Sequence, residues 1–495
     1  MAKSEQAAPV IARCAGARAR CLVCCLVAAV IGTCLAEPAP VLAGPPAGSL
    51  VQLEGSAGCI NNDPASRRCA FAASLEFDAA IVVSPDGRNV YVGSSQGGHR
   101  GSVTAFSRDP ATGALAQLGG MDGCVSQIPG LGCQLVARLA SPSAMAMSPD
   151  GRFLYVATSN ELLLPARLAV FERNVATGSL RWLACSGERN VGCSPWGSSG
   201  PGAMAITPNG AQMLVLALPQ RLTVFDRNRR TGLIRRHRGR GACVTARFRR
   251  GCVRAHGPFP WELAVTPDGR NVIGLAGDQD CSGPECFDGG DGSLTVFARS
   301  AAGDLRQLAG RAGCLSWQRH PGCARARALE SANGLAVSPD GRSVYVASFS
   351  FASDHDGIAI LRRNRASGVL RQLGGKAGCI AKRAVEGCAR GRALDNPLNV
   401  AVSPDGRNVY SVQNFSNGLA VFRRGRRGAL RQLKGPYGCI TQRGQQGCAR
   451  GEGLWGAEQL AISADGKHVY TASDNSLGSL TAFRRVALEA AGLRE

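Results

Sequence analysis

Seven times the chain repeats one short phrase: an apolar run, a turn ending in Asp-Gly or Asn-Gly, and a second apolar run. The first copy reads AIVVSPDGRNVYVGS over residues 80–94. The turns recur at Asp150-Gly151, Asn209-Gly210, Asp268-Gly269, Asp340-Gly341, Asp405-Gly406 and Asp465-Gly466. A repeat of this period decides architecture before any single residue does. Each unit is too small to bury its own apolar faces and must stack on its neighbours. The 495 residues therefore read as one array rather than as several unrelated domains.

The fifth copy shows the unit. Apolar runs at 335–338, 344–348, 358–361 and 369–373 are separated by Asp-Gly, longer, and Ser-Gly-containing connections. Four short strands with such turns predict an antiparallel meander. The first two runs are apolar almost throughout, as expected of strands buried on both faces when twisted sheets stack radially. The ends add a second signal. SLVQLEGSAGCI at 49–60 matches ALRQLKGPYGCI at 429–440, whereas the seventh copy stops after its third strand at 479–483. The pattern predicts an all-β, seven-bladed propeller of four-stranded antiparallel blades over 44–485, the N-terminal strand completing the last blade and removing the open edges. The tail at 486–495 competes for the same place.

Cysteines come with the repeat. Of 21, five lie in the first 43 residues and sixteen beyond. Seven local pairs are Cys59/Cys69, Cys124/Cys133, Cys185/Cys193, Cys243/Cys252, Cys314/Cys323, Cys379/Cys388 and Cys439/Cys448, with an eighth, Cys281/Cys286, in one long loop. The spacing lacks the short knuckles of a zinc site, so disulfides within each loop are expected. The first 43 residues place Arg13, Arg18 and Arg20 before an apolar stretch at 21–35 and then small residues. This is the pattern of an export leader cleaved after Ala43. Secretion and a monomer are expected, with membrane contact only through an uncleaved leader. The formal charge of +22 is mostly arginine and accompanies abundant Ala, Gly and Pro. No nucleic-acid-binding motif joins it, so nucleic acid is not the expected partner.

Blocks such as LAVSPDGRSVYVAS (335–348) and VAVSPDGRNVYSVQ (400–413), followed by AVFRR or TVFAR and a Gly-Ala-Leu-Arg-Gln-Leu strand, resemble the YVTN-type, lactonase-like seven-bladed β-propellers. The resemblance spans about residues 49–485 and implies lactone hydrolysis as an activity. The repeated phrase describes strands and turns, however, and transfers no catalytic residue.

In such a meander the Asp-Gly turns share one face, and the cysteine loops, with the connections between second and third strands, share the other. The variable loops make that second face the expected working surface. Aligning the start of each first strand gives Ala79/Ala80, Ser143/Ala144, Gly202/Ala203, Trp261/Glu262, Asn333/Gly334, Leu398/Asn399 and Glu458/Gln459. Polar side chains gather on blades four to seven: Glu262, Asn333, Asn399, Glu458 and Gln459. They mark either a wet channel mouth or a ligand site. Glu262, Asn333, Asn399 and Glu458 could supply calcium with oxygens, by analogy with six-bladed gluconolactonase-like propellers; no other cofactor is indicated. Further loop-face candidates are Arg254, Arg325, Arg390 and Arg450, each just after a cysteine, joined in the same loops by Arg327 and Arg392. Trp261 and Trp455, with Trp196 and Trp317, could stack on rings.

Asp278, Asp280, Asp288 and Asp291 form an acidic loop, and Asp354-His355-Asp356 is a thin acid/base candidate. No nucleophile elbow or phosphate loop occurs. The expectation is a binding module for a small molecule, a glycan or a protein on the loop face, with a lactone hydrolase as the alternative.

Overall fold

The computed structural model describes residues 44–487 apart from 97–99, 137–138, 159–166, 187–192, 195–200, 218–220, 248, 278–291 and 351–354. The leader, the acidic loop, Cys281, Cys286, Trp196 and Asp354 lie outside the described residues. Among those described, no helix is long and apolar enough to cross a membrane.

Seven sheets form seven blades. Their innermost strands are Asp78–Val83, Pro142–Met147, Pro201–Ile206, Glu262–Val265, Ser331–Val337, Pro397–Val402 and Ala457–Ile462. In blade five, Ser331–Val337 pairs with Ser343–Phe349, which pairs with Gly357–Arg363, all antiparallel. The expected fourth strand is present as Leu370–Gln372, and the ladder continues beyond it. The third strand also pairs with Cys379–Ala381, and Ala389–Arg390 then adds in parallel. The cysteine loop is thus part of the blade, and the sheet is mixed. The reason is visible in the residues: Cys379 stands in one outer strand, Cys388 just before the next, and the disulfide holds them at a Cα separation of 4.8 Å.

Six such disulfides close among the described residues: Cys59–Cys69, Cys124–Cys133, Cys243–Cys252, Cys314–Cys323, Cys379–Cys388 and Cys439–Cys448. Cys185 is also disulfide-bonded, and its strand pairs with Cys193. Disulfides in this number suit an extracytoplasmic, oxidising compartment.

Closure follows the sequence pattern. Leu50–Gln52 and Cys59–Asn61 both pair antiparallel with Ser479–Arg485, the third strand of blade seven. Of the tail, only Val486 and Ala487 are described, and Val486 exchanges backbone bonds with Gly48 and Ser49.

The Ser-Pro-Asp-Gly turn has a second task beyond reversing the chain. In blade one, buried Ser84 bonds Asp86 and accepts from the Asn89 N–H, holding the carboxylate outward toward the next blade. There Arg173, the last residue of blade two's third strand, donates to Asp86, to Asn89 Oδ1 at 2.5 Å and to the Tyr91 hydroxyl at 3.0 Å. Tyr91 in turn donates to the Gly178 carbonyl of blade two at 2.6 Å. Gly178 has φ near +87°, and a Cβ there would sit 2.0 Å from Asn89 Nδ2, so only glycine fits.

The same clip runs round the ring: Arg108 to Asp465, Arg227 to Asp150, Arg363 to Asp268, Arg424 to Asp340, Arg485 to Asp405. Blade three carries Asn209 where the others carry Asp. There Arg299 bonds Gln212 Oε1 instead. Between the blades, apolar side chains of facing sheets interdigitate. Tyr345, Ile358 and Ile360 of blade five, for instance, share a buried cluster with Val400, Val409 and Phe422 of blade six.

Candidate functional site

Each innermost strand runs from the loop face to the Asp-Gly face, so its first residues ring the channel mouth on the loop face. Six of the seven innermost strands open with a register shift at the same place, between Asp78 and Ala80, Pro142 and Ala144, Pro201 and Ala203, Ala332 and Gly334, Pro397 and Asn399, and Ala457 and Gln459. A bulge puts two residues opposite one and interrupts the alternation of faces, a device common beside active sites. The extra residues include Asn333, Leu398 and Glu458. The next residues include Asn399 and Gln459, and Glu262, opposite Leu275, holds that second position in blade four.

All five residues of the expected mouth set therefore stand at one level of the channel. Within the set the structure joins two: Asn399 Nδ2 donates to Gln459 Oε1 at 2.8 Å, across blades six and seven. Asn399 Oδ1 accepts from the Val400 N–H, and Asn333 Nδ2 donates to the Ser331 carbonyl at 3.3 Å. Glu458 Oε1 accepts from Asn414 Nδ2 at 2.7 Å. Burial pushes the Glu458 carboxyl up to about 7, the charge of Asp474 adds to the rise, and the Asn414 bond opposes it. Glu262 is pushed up to about 8 by burial, against a bond from the Leu335 N–H of blade five. Its Oε2 is buried with no hydrogen-bond partner, as is Nε1 of the adjacent Trp261.

Two carboxylates that the sequence reading did not single out complete this region. Asp78, fully buried at the start of blade one, is pushed up to about 7 by burial; Ser94 opposes and Asp474 adds. Its Oδ1 accepts from Ser94 Oγ at 2.7 Å and its Oδ2 has no partner. Asp474, itself raised by burial, follows the second strand of blade seven. Asp78, Glu458 and Asp474 thus form an acidic arc at the seam of blades seven and one.

Of the expected calcium set, Glu262 stands on blade four and Glu458 on blade seven. Asn399, Asn333 and Glu458 are each engaged by protein partners. Among the described residues no group of three or more Asp, Glu, His or Cys side chains is placed to hold a metal ion.

The other loop-face candidates stand away from the channel strands. Arg254, Arg325, Arg390 and Arg450 lie exposed on the outermost strands of blades three to six, far along the ladder from the channel strand. Arg327 and Arg392 tie loops together: Arg392 donates to the carbonyls of Gln446, Gly447 and Gly435. Trp455 is exposed beneath the Arg443 guanidinium, 4.9 Å from its ring centre. Trp317 donates to Glu386 and packs against His355. His355 pairs with buried Glu330 at 2.7 Å, and Asp356 accepts from the Ser350 and Asn396 N–H groups, so both anchor loops.

Residues 100–246 match the family described as "Lactonase, 7-bladed beta-propeller". No curated protein sequence is a match. Similar solved structures include a candidate 6-phosphogluconolactonase of Bacteroides uniformis (18% identity, 73% of this chain and 85% of that one, TM-score 0.49). The periplasmic gluconolactonase PpgL of Pseudomonas aeruginosa is similar at 21% identity, covering 72% of this chain and 84% of that one, with a TM-score of 0.49. So is hydrazine synthase of Kuenenia stuttgartiensis, at 14%, 83%, 96% and 0.46 respectively. At such identities and scores these likenesses carry nothing about activity. With its seven stacked blades and its repeated turn phrase, the chain is a seven-bladed β-propeller, and its residues 100–246 match the lactonase propeller family.

Proposed function

We propose that the chain is a lactone hydrolase working at the loop-face mouth of the channel, with Glu458 as general base. The observation that carries this is the pairing of consecutive residues at the blade-seven bulge. Glu458 is a carboxyl with a pKa near 7, and Gln459 is an amide held by its Oε1. A base poised near the working pH is what proton abstraction from water needs. Asn399 occupies the Gln459 oxygen, which leaves the Nε2 hydrogens free to donate to a developing oxyanion. The lactonase family match supports the substrate class.

In this reading ionised Glu458 takes a proton from water as its oxygen bonds the lactone carbonyl carbon. The carbonyl oxygen gains charge facing the Gln459 amide. The ring C–O bond then breaks, and the alkoxide leaves with the proton that Glu458 carries, giving the open hydroxy acid and the starting carboxylate. Hydrolysis of a simple aldonolactone, followed by proton release, is the test. Wild type should turn it over, and Glu458→Gln should lose about a hundredfold or more in kcat, the usual range for a general base. Binding of the lactone with no turnover by wild type would overturn the hydrolase in favour of a binding module.

A further inference from the structure

The outer rim carries a feature that the seven-fold pattern does not. Between the cysteine loop of blade five and the outer strand of blade six lies a groove of about 760 Å³, within the range of ligand sites. Five of its lining residues are cationic, namely Lys382, Arg383, Arg390, Arg392 and Lys434, and none is acidic. Asp395 pairs with Lys382 at 2.8 Å; Arg390 and Lys434 have no carboxylate partner among the described residues.

The repeat supplies an internal control. At the corresponding positions between blades four and five stand Trp317, Gln318, Arg325, Arg327 and Gly374, so three of the five cations are absent and two arginines remain. The sixth position is the most telling. In that neighbouring groove Glu386 Oε2 accepts the Ala328 N–H at 3.0 Å. In this one Gln446 Oε1 accepts the equivalent Ala393 N–H at 2.9 Å. The structural task is the same, and the negative charge has gone. Between blades six and seven the corresponding rim carries Glu54 and Glu452.

We propose that the groove between blades five and six binds an extended acidic glycan, one carrying carboxylate or sulfate groups along its length. Cations spread along an open groove suit a chain of spaced charges better than a single ion, and guanidinium groups pair with planar anions in two-pronged fashion. A compartment that sustains disulfides favours an extracellular polyanion over a nucleic acid. The site is distinct from the channel mouth and does not depend on the hydrolase reading.

The test is titration of the full-length protein with polygalacturonate and with a sulfated oligosaccharide, beside single-stranded DNA of matched charge. Arg390→Glu and Lys434→Glu should each weaken glycan binding by about tenfold, and Gln446→Glu by several-fold. The last is a mild change, because Glu386 already fills that role one blade earlier. Arg325→Glu, the same strand position on blade four, should leave affinity within about twofold. An equal loss in Arg325→Glu would overturn the groove in favour of a diffuse field. DNA binding as tight as glycan binding would overturn the ligand class, and unchanged glycan affinity in Arg390→Glu would overturn both. Glu458→Gln should bind the glycan as wild type does.

Discussion

The Arg173 guanidinium lies 2.9 Å from the Asp86 carboxylate, across the seam between blades two and one, with none of the arginine side chain exposed. Asp86 belongs to a turn phrase and Arg173 to the end of a third strand 87 residues later. Repeated at six seams and replaced by Arg299 and Gln212 at the seventh, this relationship makes the arginines part of the ring's cohesion. It also accounts for a share of the positive charge that composition alone could not place.

Breaking one clip should be costly. Arg173→Met keeps much of the stem but leaves Asp86, Asn89 Oδ1 and the Tyr91 hydroxyl without their donor. Removing one partner of a buried pair costs about 3–5 kcal/mol, and since Asp86 is partly exposed the expected loss is about 2–3 kcal/mol. Urea denaturation measures it. Arg181→Met, which loses only a surface pair with Glu172, should fall within about 1 kcal/mol of wild type.

Stability should peak at mildly acidic pH. The clip carboxylates Asp86, Asp268, Asp340 and Asp405 are held below the usual range by turn and arginine bonds that outweigh burial, and Asp465 is held at about 2. Their contribution is present above the unfolded value near 4 and is lost as pH falls toward 2. The mouth carboxyls behave oppositely. Asp78 and Glu458, raised to about 7, and Glu262, raised to about 8, stabilise fully below the unfolded values, and that contribution is lost as pH rises through 7 and 8. Denaturation midpoints should therefore be highest near pH 4 and fall on both sides. Midpoints climbing steadily from pH 5 to 9 would show that the mouth carboxyls are ionised at no cost.

The N-terminal strand should be indispensable. Deleting residues 44–55 removes Leu50–Gln52 from the edge of blade seven and the Gly48 carbonyl that accepts from Tyr410 at 2.8 Å. An exposed edge and the lost burial of Leu50 should lower stability by several kcal/mol, on the order of a lost strand, and promote association. An unchanged melting temperature would mean that the tail after Ala487 closes the ring.

The blades were legible because strand period and turn chemistry are local. Ser84, Asp86 and Gly87 announce a turn by themselves. The clip was not, because Asp86 meets its arginine only after the next blade has been laid down. An arginine ends the third strand of all seven blades, and its function needed a partner that spacing cannot supply. The mouth was half legible. Aligning the first strands found Glu262, Asn333, Asn399, Glu458 and Gln459, but stopped one residue short of Asp78. Asp474 and Asn414 escaped because they leave the second strand and return to the mouth from the side. Arg325 and Arg390 were legible as loop residues after a cysteine, but not their distance from the channel, because the parallel outer strand that carries them forms only when the cysteine loop joins the blade.

Asp474 gives the sharpest check on the role of Glu458. Its charge adds to the rise in the Glu458 pKa without touching the residue that would do the chemistry. In Asp474→Asn that repulsion is gone, so Glu458 should ionise at lower pH. If ionised Glu458 is the base, the acid limb of kcat for lactone opening rises through a midpoint near 7 in wild type. In the variant that limb should move to lower pH by about half a unit to one unit, while the plateau rate stays within a few-fold, since a pH-independent plateau reports the fully ionised enzyme. A structural role for Asp474 would lower the plateau and leave the midpoint in place. A shift to higher pH would mean that the protonated carboxyl is the active form, and Glu458 would then be an acid rather than a base.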